Sequence, residues 1–208
     1  LFRSNCGPLL IAKEPLSAED ITKAKVAIPG KYTTANFLFG LAYPQVGAKL
    51  SYLFSDIEDA VLNAEVDAGL IIHENRFTYQ EKGLVKLADM GEYWEENTGM
   101  PIPLGGIVIK RDLPLDVKQK VDRVLAKSVT FAMKLPDQTM TYVRQYAQAM
   151  EDSVMQAHIG LYVNKFTADL GEEGRAAVER LFLEASAKNL VPTATQSLIL
   201  EQELIKEK

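Results

Sequence analysis

Ala68-Gly69-Leu70-Ile71-Ile72 is a wholly apolar run that stops abruptly at His73-Glu74-Asn75-Arg76, where an imidazole, a carboxylate and a guanidinium follow within four residues. A run of that length bounded by polar residues reads as a strand buried on both faces, as in a parallel sheet. Ligands of open α/β sheets bind just beyond the carboxyl ends of the strands, which is where His73 falls. A side chain that titrates near neutral pH in such a place is a candidate general acid or base. A histidine satisfied by a nearby carbonyl at a strand end explains the same residue equally well. Glu74 and Arg76 flank it and either orient it or a substrate carboxylate, or are simply solvated or paired.

A second constellation is Pro29-Gly30-Lys31-Tyr32-Thr33-Thr34-Ala35, in which a strand and a glycine turn lead into a helix. Unpaired N–H groups and the positive end of the helix dipole meet at such a start, forming an anion site to which the threonine hydroxyls can add donors. An ordinary threonine N-cap is the alternative. The stretch Asn97-Thr98-Gly99-Met100-Pro101-Ile102-Pro103-Leu104-Gly105-Gly106 is stiffened by two prolines and opened by its glycines, which suits a pocket wall, a hinge or a plain connection. Tyr93 and Trp94 beside it read as core. The other of the two histidines, His158, shares one helix face with Val154, Leu161 and Tyr162 and reads as a packed core residue. Cys6 has no evident base beside it. No nucleophile elbow, P-loop or dinucleotide fingerprint is present, and no spacing suits a metal.

These residues need a frame. Leu9-Leu10-Ile11-Ala12, Lys25 to Ile28, Lys49 to Phe54, the run ending at His73, and Leu104 to Ile109 read as strands, with a short apolar segment at Leu84-Val85-Lys86-Leu87. Ser17-Ala18-Glu19-Asp20 starts a helix, and Thr33 to Ala42 is another, ended before Pro44. Ser55-Asp56-Ile57-Glu58 reads as a capping box with Ile57, Val61 and Ala64 behind it. Glu92 to Asn97 is a short helix stopped by Gly99. Beyond it the pattern is helical. Val117, Val121, Val124, Leu125 and Ala132 share one face of a long helix. Further helices start at Pro136, span Ser153 to Phe166, and span Glu172 to Lys188 with Val178, Leu181, Phe182 and Ala185 facing inward. The tail from Gln196 reads as a charged, partly helical end. Strand and helix alternate in the first half, so an α/β fold with a largely parallel sheet is expected.

The chain has 208 residues, 47% of them hydrophobic, enough to bury a core in one domain or two small lobes. A net charge of -5 and a pI near 5.2 argue against nucleic acid as partner. No run approaches the roughly 18 apolar residues of a membrane span, and no signal-peptide pattern opens the chain. A single cysteine excludes an internal disulfide framework. A cytoplasmic protein fits these facts. The chain opens at Leu1 without methionine, so material before it is expected to be missing.

Taken together, the segments 29–35, 69–79 and 91–105 closely resemble the 1,4-dihydroxy-6-naphthoate synthase family of the futalosine route to menaquinone. The resemblance continues through His158, Tyr162-Val163-Asn164 and Gly171-Glu172-Glu173-Gly174, so it covers nearly the whole chain. It implies a fold like the type 2 periplasmic binding proteins, with two α/β lobes around a substrate cleft and a helical C-terminal part. The lobes are expected to be 1–24 with 112–208, and 25–111, within one family domain spanning 1–208. It also implies a cofactor-free carbon–carbon lyase that splits cyclic dehypoxanthinyl futalosine into 1,4-dihydroxy-6-naphthoate and a dihydroxyacetone fragment. His73 matches that family's proposed proton acceptor, and Thr34 and Ala35 match residues that contact substrate.

The family's members carry an N-terminal βα portion and a Gly-rich loop, which this sequence lacks where Ser4 abuts Asn5. Two other readings share the fold. A non-catalytic solute-binding protein is one, because fold does not decide function. The related chorismate dehydratases are the other, but they carry an Ile-Gly-Asp type segment where this chain has Ile72-His73-Glu74.

Overall fold

Five short strands form one sheet: β1 (Leu9–Ala12), β2 (Lys25–Ile28), β3 (Ala48–Ser51), β4 (Ala68–Ile71) and β5 (Val85–Asp89). The computed structural model describes residues 2–3, 7–72, 75–146 and 152–200, so Cys6, His73 and Glu74 lie outside the described residues. The strands lie in the order β3-β2-β4-β1-β5. β2 runs parallel to both its neighbours, with Val26 opposite Lys49 and Ala68. β1 runs antiparallel to both of its own, with Leu9 opposite Ile71 and Asp89. Four strands therefore point one way, and the second from one end points the other. The largely parallel sheet expected from the alternating pattern is a mixed one. An apolar run such as Leu9-Leu10-Ile11-Ala12 reports that a strand is buried on both faces, but not which way it runs.

Between and beside the strands lie α1 (Ala18–Lys23), α2 (Thr34–Ala42), α3 (Ile57–Leu62), α4 (Asn75–Thr78) and α5 (Met90–Thr98). α1 starts with a capping box: the Asp20 N–H donates to Ser17 Oγ and the Ser17 N–H to the Asp20 carboxylate, both at 3.2 Å. α3 packs on β4 through a glycine. A Cβ on Gly69 would stand 2.5 Å from Ile57 Cγ2 and 3.1 Å from Val61 Cγ2, so only glycine admits the helix this close. Leu9, Ile11, Ala27, Ile57, Val61 and Ile71 belong to the resulting core cluster. Leu70 and Val26, which alternation turns to the opposite face, are equally buried.

Ser55 does not cap α3. Residues Phe54–Asp56 form a turn of 3-10 helix, Ser55 Oγ donates to Asp56 at 2.7 Å, and Asp56 sits at the cap without a side-chain bond to the backbone. Glu58, which the box would have turned back to the helix start, is instead buried and held by residues far along the chain.

The chain divides into two compact units, Arg3–Leu104 and Leu1–Phe2 with Gly105–Lys208. Residues 3–24 thus join 25–104, whereas the sequence grouped them with the C-terminal part. The reason is β1, whose hydrogen-bond partners are β4 and β5. The second unit contains α6 (Leu115–Lys134), α7 (Pro136–Tyr146), α8 (Asp152–Tyr162), α9 (Lys165–Ala168) and α10 (Gly171–Ala187). The expected strand at 104–109 is absent. The short strand lies at Ile102–Pro103, and Val108 is 92% exposed. On α10 the buried positions are Gly174 and Ala177, whereas Phe182, expected to face inward, is exposed. His158 lies in α8, but its side chain is outside the described ones.

Candidate active site

The strand directions bring four carboxyl ends and the amino end of β1 to one edge of the sheet. This is the edge at which α/β folds bind ligands. β2 leaves it through Pro29-Gly30, where Gly30 has a φ of 144°, a backbone state that side chains disfavour. The loop is then tied down locally. Thr33 Oγ1 donates to the Gly30 carbonyl at 2.8 Å and accepts the Asn36 N–H at 3.2 Å, while Asn36 Nδ2 donates to the Lys31 carbonyl at 2.9 Å. Thr33 is therefore the N-cap of α2, and Thr34 and Ala35 are its first two residues. Their N–H groups meet no acceptor among the described residues, as expected for a first turn. Ala35 is buried and Thr34 half-buried.

The first turn of α2 contains no acidic residue, whereas those of α1, α3 and α5 do. The positive end of its dipole is thus not neutralised from within. Lys31, with Nζ 5.4 Å from the centre of the Tyr32 ring, adds a cation to the same loop, and Tyr32 is 92% exposed. An anionic group is what such an end can hold.

β4 reaches the same edge beside β2, and Ile72 is the last described residue before position 73. The chain resumes at Asn75 in α4, which is gripped from two sides. Asn75 Nδ2 donates to Glu58 Oε2 at 2.7 Å, and Lys82 Nζ donates to the same oxygen at 2.7 Å. That bond raises the Lys82 ammonium above the usual lysine range. Arg76 donates one nitrogen to the Gly7 carbonyl and another to Asp89 Oδ2, the latter at 3.1 Å. The Arg76 side chain is 14% exposed and that of Asp89 only 3%, so the pair is largely withdrawn from water. Arg76 is thus paired with Asp89, one of the alternatives open from the sequence.

Asp89 also serves as the N-cap of α5, its Oδ1 accepting the Gly91 N–H at 2.7 Å and the Glu92 N–H at 3.3 Å. Gly7 and Gly91 meet backbone to backbone beside it. A Cβ on Gly7 would lie 1.9 Å from the Gly91 nitrogen. Sequence reasoning gave Asp89, Gly7 and Gly91 no role here and read Glu58 only as part of a capping box. Asp89-Met90-Gly91-Glu92 does carry a readable signal, an N-cap aspartate with an acid three residues on. The other contacts bridge distant parts of the chain and leave no local pattern.

Elsewhere the segment after α5 begins as a helix stop, with Gly99 in the left-handed conformation at φ 67°. Trp94 is buried, and Tyr93 donates its hydroxyl to the Leu41 carbonyl at 3.1 Å, joining α5 to α2. Among the described residues no cluster of His, Cys, Asp or Glu could hold a metal ion, and no helix is long and apolar enough to cross a membrane.

The family model for menaquinone biosynthesis matches residues 2–187. The chain is 43% identical over 194 residues to 1,4-dihydroxy-6-naphthoate synthase of Thermus thermophilus, covering 93% of this chain and 70% of that protein. Against 1,4-dihydroxy-6-naphthoate synthase of Streptomyces coelicolor it is 45% identical over 192 residues, covering 90% and 67%. A crystallised protein of Archaeoglobus fulgidus superimposes with a TM-score of 0.82 at 35% identity, over 91% of this chain and 70% of that one. A periplasmic sulfonate-binding protein of Methylobacillus flagellatus aligns with a TM-score of 0.54 at 14% identity, over 90% and 61%. That likeness shows the fold, which is α/β and like that of the periplasmic binding proteins. Matched along 2–187 and more than 40% identical to two naphthoate synthases, the chain belongs to the menaquinone biosynthesis family.

Proposed function

We propose that this chain is a 1,4-dihydroxy-6-naphthoate synthase, a cytoplasmic carbon–carbon lyase that needs no cofactor. Its substrate is cyclic dehypoxanthinyl futalosine, cleaved to 1,4-dihydroxy-6-naphthoate and a dihydroxyacetone fragment. The observation that carries this reading is the identity of 43% and 45%, over nine tenths of the chain, to two proteins of that name. His73 takes the proton as a neutral imidazole and so starts the bond cleavage. Thr34 and Ala35, at the start of α2, hold an anionic group of the substrate with backbone N–H groups and the Thr34 hydroxyl. What supports these roles together is topology: β2 leads to α2, its neighbour β4 leads to His73, and both strands run in the same direction.

His73→Asn tests the role of the base. Asparagine keeps a polar side chain of similar shape but cannot accept a proton near neutral pH. Removing a general base costs about 10²–10⁴-fold, so kcat falls by that order while substrate affinity changes little. The wild-type rate declines on acidification through the histidine's titration, because the imidazolium is no base. A His73→Asn variant that turns over like wild type contradicts the assignment.

A further inference from the structure

Tyr32 stands in the loop between β2 and α2 with 92% of its surface in water. No other described aromatic side chain between Arg3 and Leu104 is as open. The next, Phe54, is 43% exposed, and Phe39, Tyr79 and Trp94 are buried. A singly exposed apolar residue is ordinary on a protein surface. Here, however, the backbone that carries it is fastened on both sides. Asn36 Nδ2 donates to the Lys31 carbonyl at 2.9 Å, and Thr33 Oγ1 donates to the Gly30 carbonyl at 2.8 Å while accepting the Asn36 N–H. The fold thus fixes the loop and leaves its one large ring in solvent. Beside it, Lys31 Nζ lies 5.4 Å from the ring centre and has no carboxylate partner among the described residues.

Position matters as much as exposure. Tyr32 precedes Thr34 by two residues, so their Cα atoms stand within about 7 Å of one another, a span comparable to a fused two-ring system. The naphthoate proposed above as product is such a system, an apolar aromatic plane with a carboxylate at its edge. A carboxylate on the N–H groups of Thr34 and Ala35 brings that plane within reach of the Tyr32 ring. Two aromatic faces in offset contact gain more than their buried area alone supplies. Tyrosine has only two side-chain torsions to fix, so ordering it on a ligand costs little. Lys31, on a flexible four-carbon stem, can turn its charge to the same carboxylate. We propose that Tyr32 is a specificity-determining residue of the candidate site. It stacks on the fused ring of an aromatic carboxylate whose anionic end lies at the start of α2, and Lys31 is a second charge on that end. This inference rests on Thr34 and Ala35 holding the anionic group of the substrate, and it names the class of ligand selected there.

The test is a calorimetric titration of the full chain with 2-naphthoate, a stable fused aromatic carboxylate. Tyr32→Leu keeps an apolar side chain but removes the aromatic face, and Tyr32→Phe keeps the face but removes the hydroxyl. Because the side chain lies in water, neither change disturbs the core. Tyr32→Leu weakens 2-naphthoate binding about 2- to 12-fold, whereas Tyr32→Phe binds it like wild type. Lys31→Met weakens it by up to about 5-fold at low salt, and the difference closes as salt is raised. Equal affinity of wild type and Tyr32→Leu for 2-naphthoate overturns the proposal. So does a loss in Tyr32→Phe as large as that in Tyr32→Leu, or the absence of binding to wild type. An unchanged affinity in Lys31→Met removes Lys31 from the site. Failure of the underlying reading has a different signature: the uncharged analogue 2-naphthalenemethanol then binds wild type as tightly as 2-naphthoate does.

Discussion

The hydroxyl of Thr33 is occupied, donating to the Gly30 carbonyl and accepting the Asn36 N–H, whereas that of Thr34 has no bond among the described residues. The two neighbours should therefore respond differently to the same change. Thr34→Val leaves the fold intact and weakens substrate binding by about 0.5–1.5 kcal/mol, the net value of one hydrogen bond, or roughly 2- to 12-fold in Kd. Thr33→Val removes the cap and lowers stability by about 0.5–2 kcal/mol. Calorimetric titration and denaturant unfolding of the two variants check this, and an unchanged affinity in Thr34→Val removes its hydroxyl from the site. At this scale the sequence was informative where chemistry is local. A cap, a turn glycine and a strand end are written in consecutive residues. The pairing of Arg76 with Asp89, or of Asn75 with Glu58, is set by tertiary neighbours 13 and 17 residues away and has no local signature.

Elements were legible when their periodicity was their own. β2 runs over Lys25–Ile28 as read, α2 differs from its reading only at the cap residue, and α1 carries the helix start seen at Ser17. Misreadings arose where a partner decided the outcome. Ser55-Asp56-Ile57-Glu58 matches a capping box, but Glu58 is taken by Asn75 and Lys82, and the helix start is satisfied without it. The run at 104–109 is apolar enough for a strand, yet no strand of the described residues pairs with it. The fit of α3 on β4 is the tightest test of the packing. Gly69→Ala places a methyl 2.5 Å from Ile57 Cγ2, an atom fixed next to its own backbone branch, so it cannot swing away. Overpacking of this kind costs about 1–3 kcal/mol. The midpoint of denaturant unfolding should fall accordingly at unchanged slope. A variant as stable as wild type would mean that α3 does not sit this close to β4.

The chain as a whole carries a net charge of -5, so any attraction for an anionic substrate has to be local. The unneutralised start of α2 and Lys31 provide a local positive region on a negative molecule. The α/β class and the binding-protein fold were both readable from sequence, the second through resemblance alone, because strand order and the reversal of β1 come from distant pairings. The fold by itself serves solute capture as readily as catalysis. Incubating the purified protein with cyclic dehypoxanthinyl futalosine and following the mixture by mass spectrometry separates the two. The account predicts that the substrate mass is lost and that of 1,4-dihydroxy-6-naphthoate appears, catalytically and in molar excess over protein. Substrate recovered intact, whether free or bound, contradicts it.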